Sequence, residues 1–227
     1  MGVLSLFIIN EMKTLFQWVG IITLLTFSIS CSKQPSAKVC HIHGIMNDHT
    51  RDGKKIFLVP MVRPDSVGVD STIIENGHFE FTTNKNIMAI VRVDLHSRYG
   101  TQDLLIVTEP GTVEVKIGGI SSSKGTLQND SLQAWKERTE IYRGKYLPLQ
   151  RSIREMLTLK DTVKARELKA QADSLHLAYK NYTRNLAKNL KEGILHEFLG
   201  KMFPKTYQRK LPDGTTITED ADKPHPL

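Results

Sequence analysis

Apolar and polar positions follow three different rhythms along this chain. Residues 15–27 form a nearly unbroken apolar run. Between residues 39 and 117 the rhythm has a period of two. Phe79 and Phe81 alternate with His78 and Glu80, and Val113, Val115 and Ile117 alternate with Glu114 and Lys116. That is the pattern of strands buried on one face. From residue 132 the rhythm becomes helical. Leu132, Trp135, Thr139, Tyr142, Tyr146, Leu149, Ile153 and Met156 stand alternately three and four apart, a heptad seam.

The period-two region predicts strands at 39–44, 55–59, 71–81, 88–95, 103–108 and 112–117. Asp52-Gly53 marks a turn. Asn76-Gly77 predicts a tight hairpin within 71–81, because both central residues of a type I′ turn need positive φ. Glu109-Pro110-Gly111 predicts a second hairpin. Roughly seven short strands at near-regular spacing indicate an antiparallel β-sandwich or small barrel over 39–127. The heptad seam predicts a helix from residue 128, capped by Asn129 or Asp130 and kinked at Pro148. Asp161 is the expected cap of a second helix, with a seam of Leu168, Ala172, Leu175, Tyr179, Tyr182, Leu186 and Leu190. The short break at 158–161 makes the two helices antiparallel neighbours. A third helix is expected over 194–203, ended by Pro204, and residues 205–227 read as a loose polar tail. The fold class is therefore α+β: a sandwich, then a long α-helical hairpin with a short helix over 128–204.

The apolar run sets the cellular address. Lys13 precedes it, and Ser28-Ile29-Ser30-Cys31 follows it. Charge, apolar stretch and small residues in that order make an export signal, and the run is short for a membrane span. A small residue directly before a cysteine resembles a bacterial lipobox. That resemblance implies lipid attachment at Cys31 after removal of residues 1–30. The bilayer is then a partner, reached through a polar tether at 31–38. Met12-Lys13 is the expected start of translation, since 1–11 add a second apolar patch before the charge. No acidic run follows Cys31, which favours an outer-membrane anchor facing the periplasm. With Cys31 acylated, Cys40 has no intramolecular disulfide partner and is expected to be a buried small hydrophobe.

The formal charge of +7 is unevenly spread. Residues 128–210 carry eighteen Lys and Arg against nine Asp and Glu, whereas 31–127 carry eleven against ten. The surplus reads first as a solvated helical face, with an anionic membrane surface or an envelope protein as the partner it could attract. An exported protein meets no genome, so nucleic acid is not expected.

Candidate chemistry is sparse. His41 and His43 fall on one side of a strand, the start of a metal site, with His49, His78 or Asp48 as the third ligand. Tyr142, Tyr146, Tyr179, Tyr182 and Trp135 form an aromatic strip whose heptad spacing favours helix packing over ligand binding. The Ser/Gly-rich stretch 121–125 reads as a loop. No nucleophile elbow, Walker loop, dinucleotide motif or His-Glu-x-x-His occurs, and no cofactor is implied.

One resemblance extends over about residues 37–135. His43-Gly44, Asp52-Gly53-Lys54, Ile56-Phe57-Leu58, Asp70-Ser71 and Asn76-Gly77-His78-Phe79-Glu80-Phe81 carry it. Gly111 with Thr112-Val113-Glu114-Val115, and Gly125-Thr126 with Asn129 and Leu132, continue it. The pattern resembles the β-rich domain of unknown function 4369 of Bacteroidota lipoproteins. In that family the domain commonly precedes a thioredoxin-like domain with a Cys-x-x-Cys pair, and this chain has no such pair. The expectation is a non-enzymatic, membrane-anchored binding or interaction module. The alternative is an accessory or truncated member of a thiol–disulfide oxidoreductase system, and a weaker one is a glycan- or metal-binding sandwich.

Overall fold

The computed structural model describes residues 38–62, 70–93 and 104–223. The apolar run, Cys31 and nearly all of the tether lie outside the described residues. Lys38–Leu227 is one compact unit.

Its β part comprises β1 (Cys40–Met46), β2 (Lys55–Pro60), β3 (Asp70–Ile73), β4 (His78–Thr83), β5 (Met88–Arg92), β6 (Leu104–Val107), β7 (Gly111–Ile117) and β8 (Ser122–Lys124). Two four-stranded sheets form, in the orders β4-β1-β7-β8 and β3-β2-β5-β6. Their pairs are antiparallel except β1 with β7, which is parallel. The sandwich-like part expected from the alternation is therefore present, with mixed rather than purely antiparallel pairing. Ser122–Lys124, expected to be loop, is a short edge strand on β7, because Ser123 turns inward and is fully buried.

Both expected hairpins are instead passages between sheets. At Asn76-Gly77 the tight turn forms as expected, with φ of 51° and 74°. Glu75 and His78 exchange both backbone hydrogen bonds at 2.9 Å. The arms then part, β3 joining β2 and β4 joining β1. This corner lets Ile74, Phe79 and Phe81 enter the same interior from both sides. After Glu109-Pro110 the Gly111 N–H donates to the Val39 carbonyl at 3.1 Å, which starts β7 alongside β1 rather than back along β6.

The first core lies between the sheets. Ile42, Phe79, Phe81, Val113 and Val115 meet Ile56, Leu58, Val91 and Ile106 there. Gly44 is an obligatory member. A Cβ at 44 would lie 1.9 Å from the Phe79 ring, which occupies the space a side chain would take. The outer face of the second sheet is covered too. Met88 and Val107 join Leu132, Trp135, Leu195 and Leu199 in a second core. Burial on both faces explains why residues 88–91 of β5 (MAIV) and β6 (LLIV) are continuous apolar runs, while β1, β4 and β7 alternate.

The helices covering that face are α1 (Leu127–Thr158), α2 (Thr162–Leu190) and α3 (Ile194–Met202). Thr126 is the N-cap of α1; Asn129 and Asp130, the expected caps, lie inside the helix and bond elsewhere. The helix continues through Pro148 without a break. Asp161 caps α2 as expected, accepting from the Lys164 N–H at 2.9 Å. The buried line of α2 differs from the expected leucine seam. Ala165, Ala172, Tyr179, Thr183 and Ala187 are buried, while Leu168, Leu175 and Leu186 are half-buried. Three of the five buried positions are alanine, so small side chains carry much of the buried line.

Residues 205–223, expected to be a loose tail, contain a hairpin of β9 (Thr206–Lys210) and β10 (Thr216–Asp220). Pro212-Asp213-Gly214 turns it, with Gly214 at φ 88° and Asp213 accepting from the Thr215 N–H at 2.8 Å. An isolated two-stranded hairpin is marginal in water. Here Arg184 of α2 holds it, donating to both carboxylate oxygens of Asp222 at 2.6 and 2.9 Å and to the Phe203 carbonyl at 2.8 Å.

Candidate functional site

The first turns of α1 fasten the helices to the sandwich. Asn129 is fully buried and acts as an extra strand residue against β6. Its Oδ1 accepts from the Val107 N–H at 3.0 Å, and its Nδ2 donates to the Val107 carbonyl at 2.7 Å. Gln128 Oε1 accepts from the Leu195 N–H at 2.8 Å, supplying the start of α3 with a side-chain cap. The Gln128 amide nitrogens, main chain and side chain, donate to Glu109 at 2.7 and 2.8 Å. Asp130 accepts from the Gly125 N–H at 2.9 Å. Trp135 Nε1 donates to Thr183 at 3.2 Å, tying α1 to α2.

Beside this joint runs an open groove of about 930 Å³, lined by α1, the start of β6 and the 119–121 loop. Its walls are mainly apolar: Leu104, Leu105, Ile120, Trp135 and Ile141. Ile120 is 85% exposed and Ile141 52%, so two isoleucines of the groove present apolar surface to solvent. One cation reaches the apolar wall. Lys136 Nζ donates to the Leu105 carbonyl at 3.2 Å and to Ser123 Oγ at 3.3 Å. Burial pushes the Lys136 ammonium down to about 8, against a weaker opposing pull from Glu137. An ammonium has three N–H donors, and two are engaged, so one remains for a ligand. Chemically the groove can take an apolar body with one anionic or hydrogen-bond-accepting end.

The residues singled out in the sequence are scattered. His41 and His43 sit on the exposed face of β1, as their spacing requires. His43 Nδ1 is 3.0 Å from Glu80, and His41 Nδ1 is 3.4 Å from Thr82 Oγ1. His49 pairs with Asp52 at 3.2 Å, and Asp48 accepts from Thr50. No group of three or more His, Cys, Asp or Glu residues able to hold a metal occurs among the described residues. Cys40 is buried, and burial with nearby Glu109 pushes its thiol up to about 11. Cys31 lies outside the described residues. The aromatic strip packs between the helices. Tyr142 stacks on Tyr179 at 4.3 Å and on Tyr146 at 5.0 Å, and its hydroxyl is 2.7 Å from His176 Nδ1. Burial drives the Tyr142 hydroxyl well above the usual tyrosine range and His176 below the usual histidine range.

Lys136 and Ile120 escaped the sequence reading. Lys136 follows Trp135 on the helix seam and looks like an ordinary solvated lysine there. Ile120, isolated among Gly118, Gly119 and serines, was the available signal.

Two further motif positions are explained by close contacts within the sandwich. Asp52 Oδ1 accepts from the Gly77 N–H at 2.7 Å, which locks the Asp-Gly turn to the Asn-Gly turn. A Cβ at Gly125 would lie 2.7 Å from the Thr112 carbonyl. No curated protein and no solved structure matches the chain. A family model described as a domain of unknown function (DUF4369) matches residues 40–132, a range that ends just past Asn129 and includes the first turn of α1. Over residues 40–132 the chain is thus similar to the DUF4369 family.

Proposed function

We propose that the chain is a non-catalytic binding module held at an envelope membrane by lipid on Cys31, facing the periplasm. In this reading the groove beside α1 receives an apolar or amphipathic ligand with an anionic end. The observation that carries it is Lys136, a partly desolvated ammonium with a donor to spare at the edge of an apolar groove. The neighbouring acids are engaged elsewhere, Glu137 with Gln133 at 3.0 Å and Glu140 with Arg143 at 3.5 Å. The buried, protonated Cys40 thiol supports packing rather than redox chemistry. An accessory role beside a thiol–disulfide oxidoreductase would therefore draw its reactive pair from elsewhere.

The test uses the compact unit, residues 38–227, in which Trp135 is the one tryptophan. Anilinonaphthalene sulfonate, an apolar anion, should bind saturably and change Trp135 emission. Lys136→Met and Ile120→Glu should each weaken binding at least about tenfold, a change of about 1.4 kcal/mol, with circular dichroism unchanged. Absence of binding, or binding by both variants as tight as by the unsubstituted protein, would remove the groove from the proposal.

A further inference from the structure

The far end of the helical hairpin combines two features that the groove reading does not use. Leu157, Leu159 and Val163 are 43%, 66% and 66% exposed, and they lie within seven residues across the α1–α2 turn. The turn that gathers them is fixed: Lys160 has φ 61°, the Asp161 N–H donates to the Met156 carbonyl at 2.9 Å, and Asp161 caps α2. Around this apolar tip the charge is one-sided. Residues 150–170 carry six Lys and Arg against three Asp and Glu. Arg151, Arg154, Lys160 and Arg166 are exposed.

We propose that the tip docks on an anionic lipid surface, its three aliphatic side chains entering the headgroup boundary and its Lys/Arg collar lying against the phosphates. Three aliphatic side chains offer far less than the roughly 800 Å² per partner of a stable protein interface, and the tip lacks the aromatic anchors that dominate such interfaces. A bilayer needs neither. It accepts a small apolar wedge, and its phosphates complement long cationic side chains without a fixed register. Lys and Arg stems can also lie along the apolar surface while their heads reach the phosphates. This contact does not depend on ligand binding in the groove or on acylation of Cys31.

Co-sedimentation with phosphatidylcholine vesicles, with and without phosphatidylglycerol, tests the proposal on residues 38–227. The protein should sediment with the anionic vesicles and remain in solution with the neutral ones. Raising salt to about 0.5 M, where screening acts within a few Å, should release most of it. Leu159→Glu/Val163→Glu and Lys160→Glu/Arg166→Glu should each lower the partition coefficient at least about tenfold while leaving circular dichroism and thermal unfolding unchanged. No sedimentation with anionic vesicles, or undiminished sedimentation of both double variants, would overturn it. So would a doubled mass in analytical ultracentrifugation that Leu159→Glu/Val163→Glu returns to the monomer, which would make the tip a self-association surface.

Discussion

Asn129→Ala is the sharpest perturbation of the joint between sandwich and helices. Asn129 is fully buried, so no water can replace its side chain without rearrangement. The substitution orphans the Val107 N–H and the Val107 carbonyl, which Asn129 binds at 3.0 and 2.7 Å. A buried polar group left without its partner costs about 1–3 kcal/mol, so two should lower unfolding stability by about 3 kcal/mol or more. Urea unfolding of residues 38–227 measures the loss. Hydrogen exchange at the Val107 amide locates it, since that amide should lose protection before its neighbours in β5. Asn129→Asp refines the test. Burial would raise the new carboxyl above its ordinary value, so folding would take up a proton. Relative to the parent protein, its penalty should be smallest below about pH 4, where even the unfolded carboxyl is protonated, and grow as pH rises towards the folded value. A loss under about 1 kcal/mol for Asn129→Ala, with Val107 still protected, would refute the reasoning.

The other predictions follow from single contacts. Gly44→Ala must displace the Phe79 ring from 1.9 Å and should destabilise by about 2–3 kcal/mol in thermal or urea unfolding. Cys40, with its thiol pushed up to about 11, should resist iodoacetamide at pH 8 in residues 38–227 and react fully in urea. The raised value favours the neutral thiol, so its contribution to stability is complete below about pH 9 and lost as pH rises towards 11. Asp222 is held below the usual carboxylate range chiefly by the Arg184 hydrogen bonds. Its contribution is therefore present above about pH 4 and lost at lower pH. Asp222→Asn should free the β9–β10 hairpin, read as faster proteolysis within residues 206–220 with the sandwich intact.

Much of the fold was legible because local pattern and burial agreed. β1, β4 and β7 alternate in sequence and are buried on one face, and Asp161 is both the expected and the observed cap. Sheet membership was not legible. Asn76-Gly77 dictates a turn, but only the shared interior of Ile74, Phe79 and Phe81 decides that its arms part. Asn129 reads as a cap because asparagine commonly is one; its use as a strand partner depends on β6, over twenty residues away. The α2 seam misled in a related way. Leucines carry the heptad signal, yet Ala165, Ala172, Tyr179, Thr183 and Ala187 are the buried positions. The polar tail hid its hairpin because Asp222 needs Arg184, a residue of α2, to hold it. The groove was illegible for the same reason, since Lys136 becomes unusual only once Leu105 and Ser123 surround it.

The proposed lipid anchor on Cys31 is read directly by intact mass spectrometry of the protein extracted from washed cell envelopes. The expected mass is that of a chain beginning at Cys31 with a diacylglyceryl group on sulfur and an acyl chain on the amine. Cys31→Ser should abolish the modification and release the protein from the membrane fraction. An unmodified Cys31 in a chain recovered in the soluble fraction would contradict the anchored module and leave the groove and the hairpin tip to be explained in a different setting.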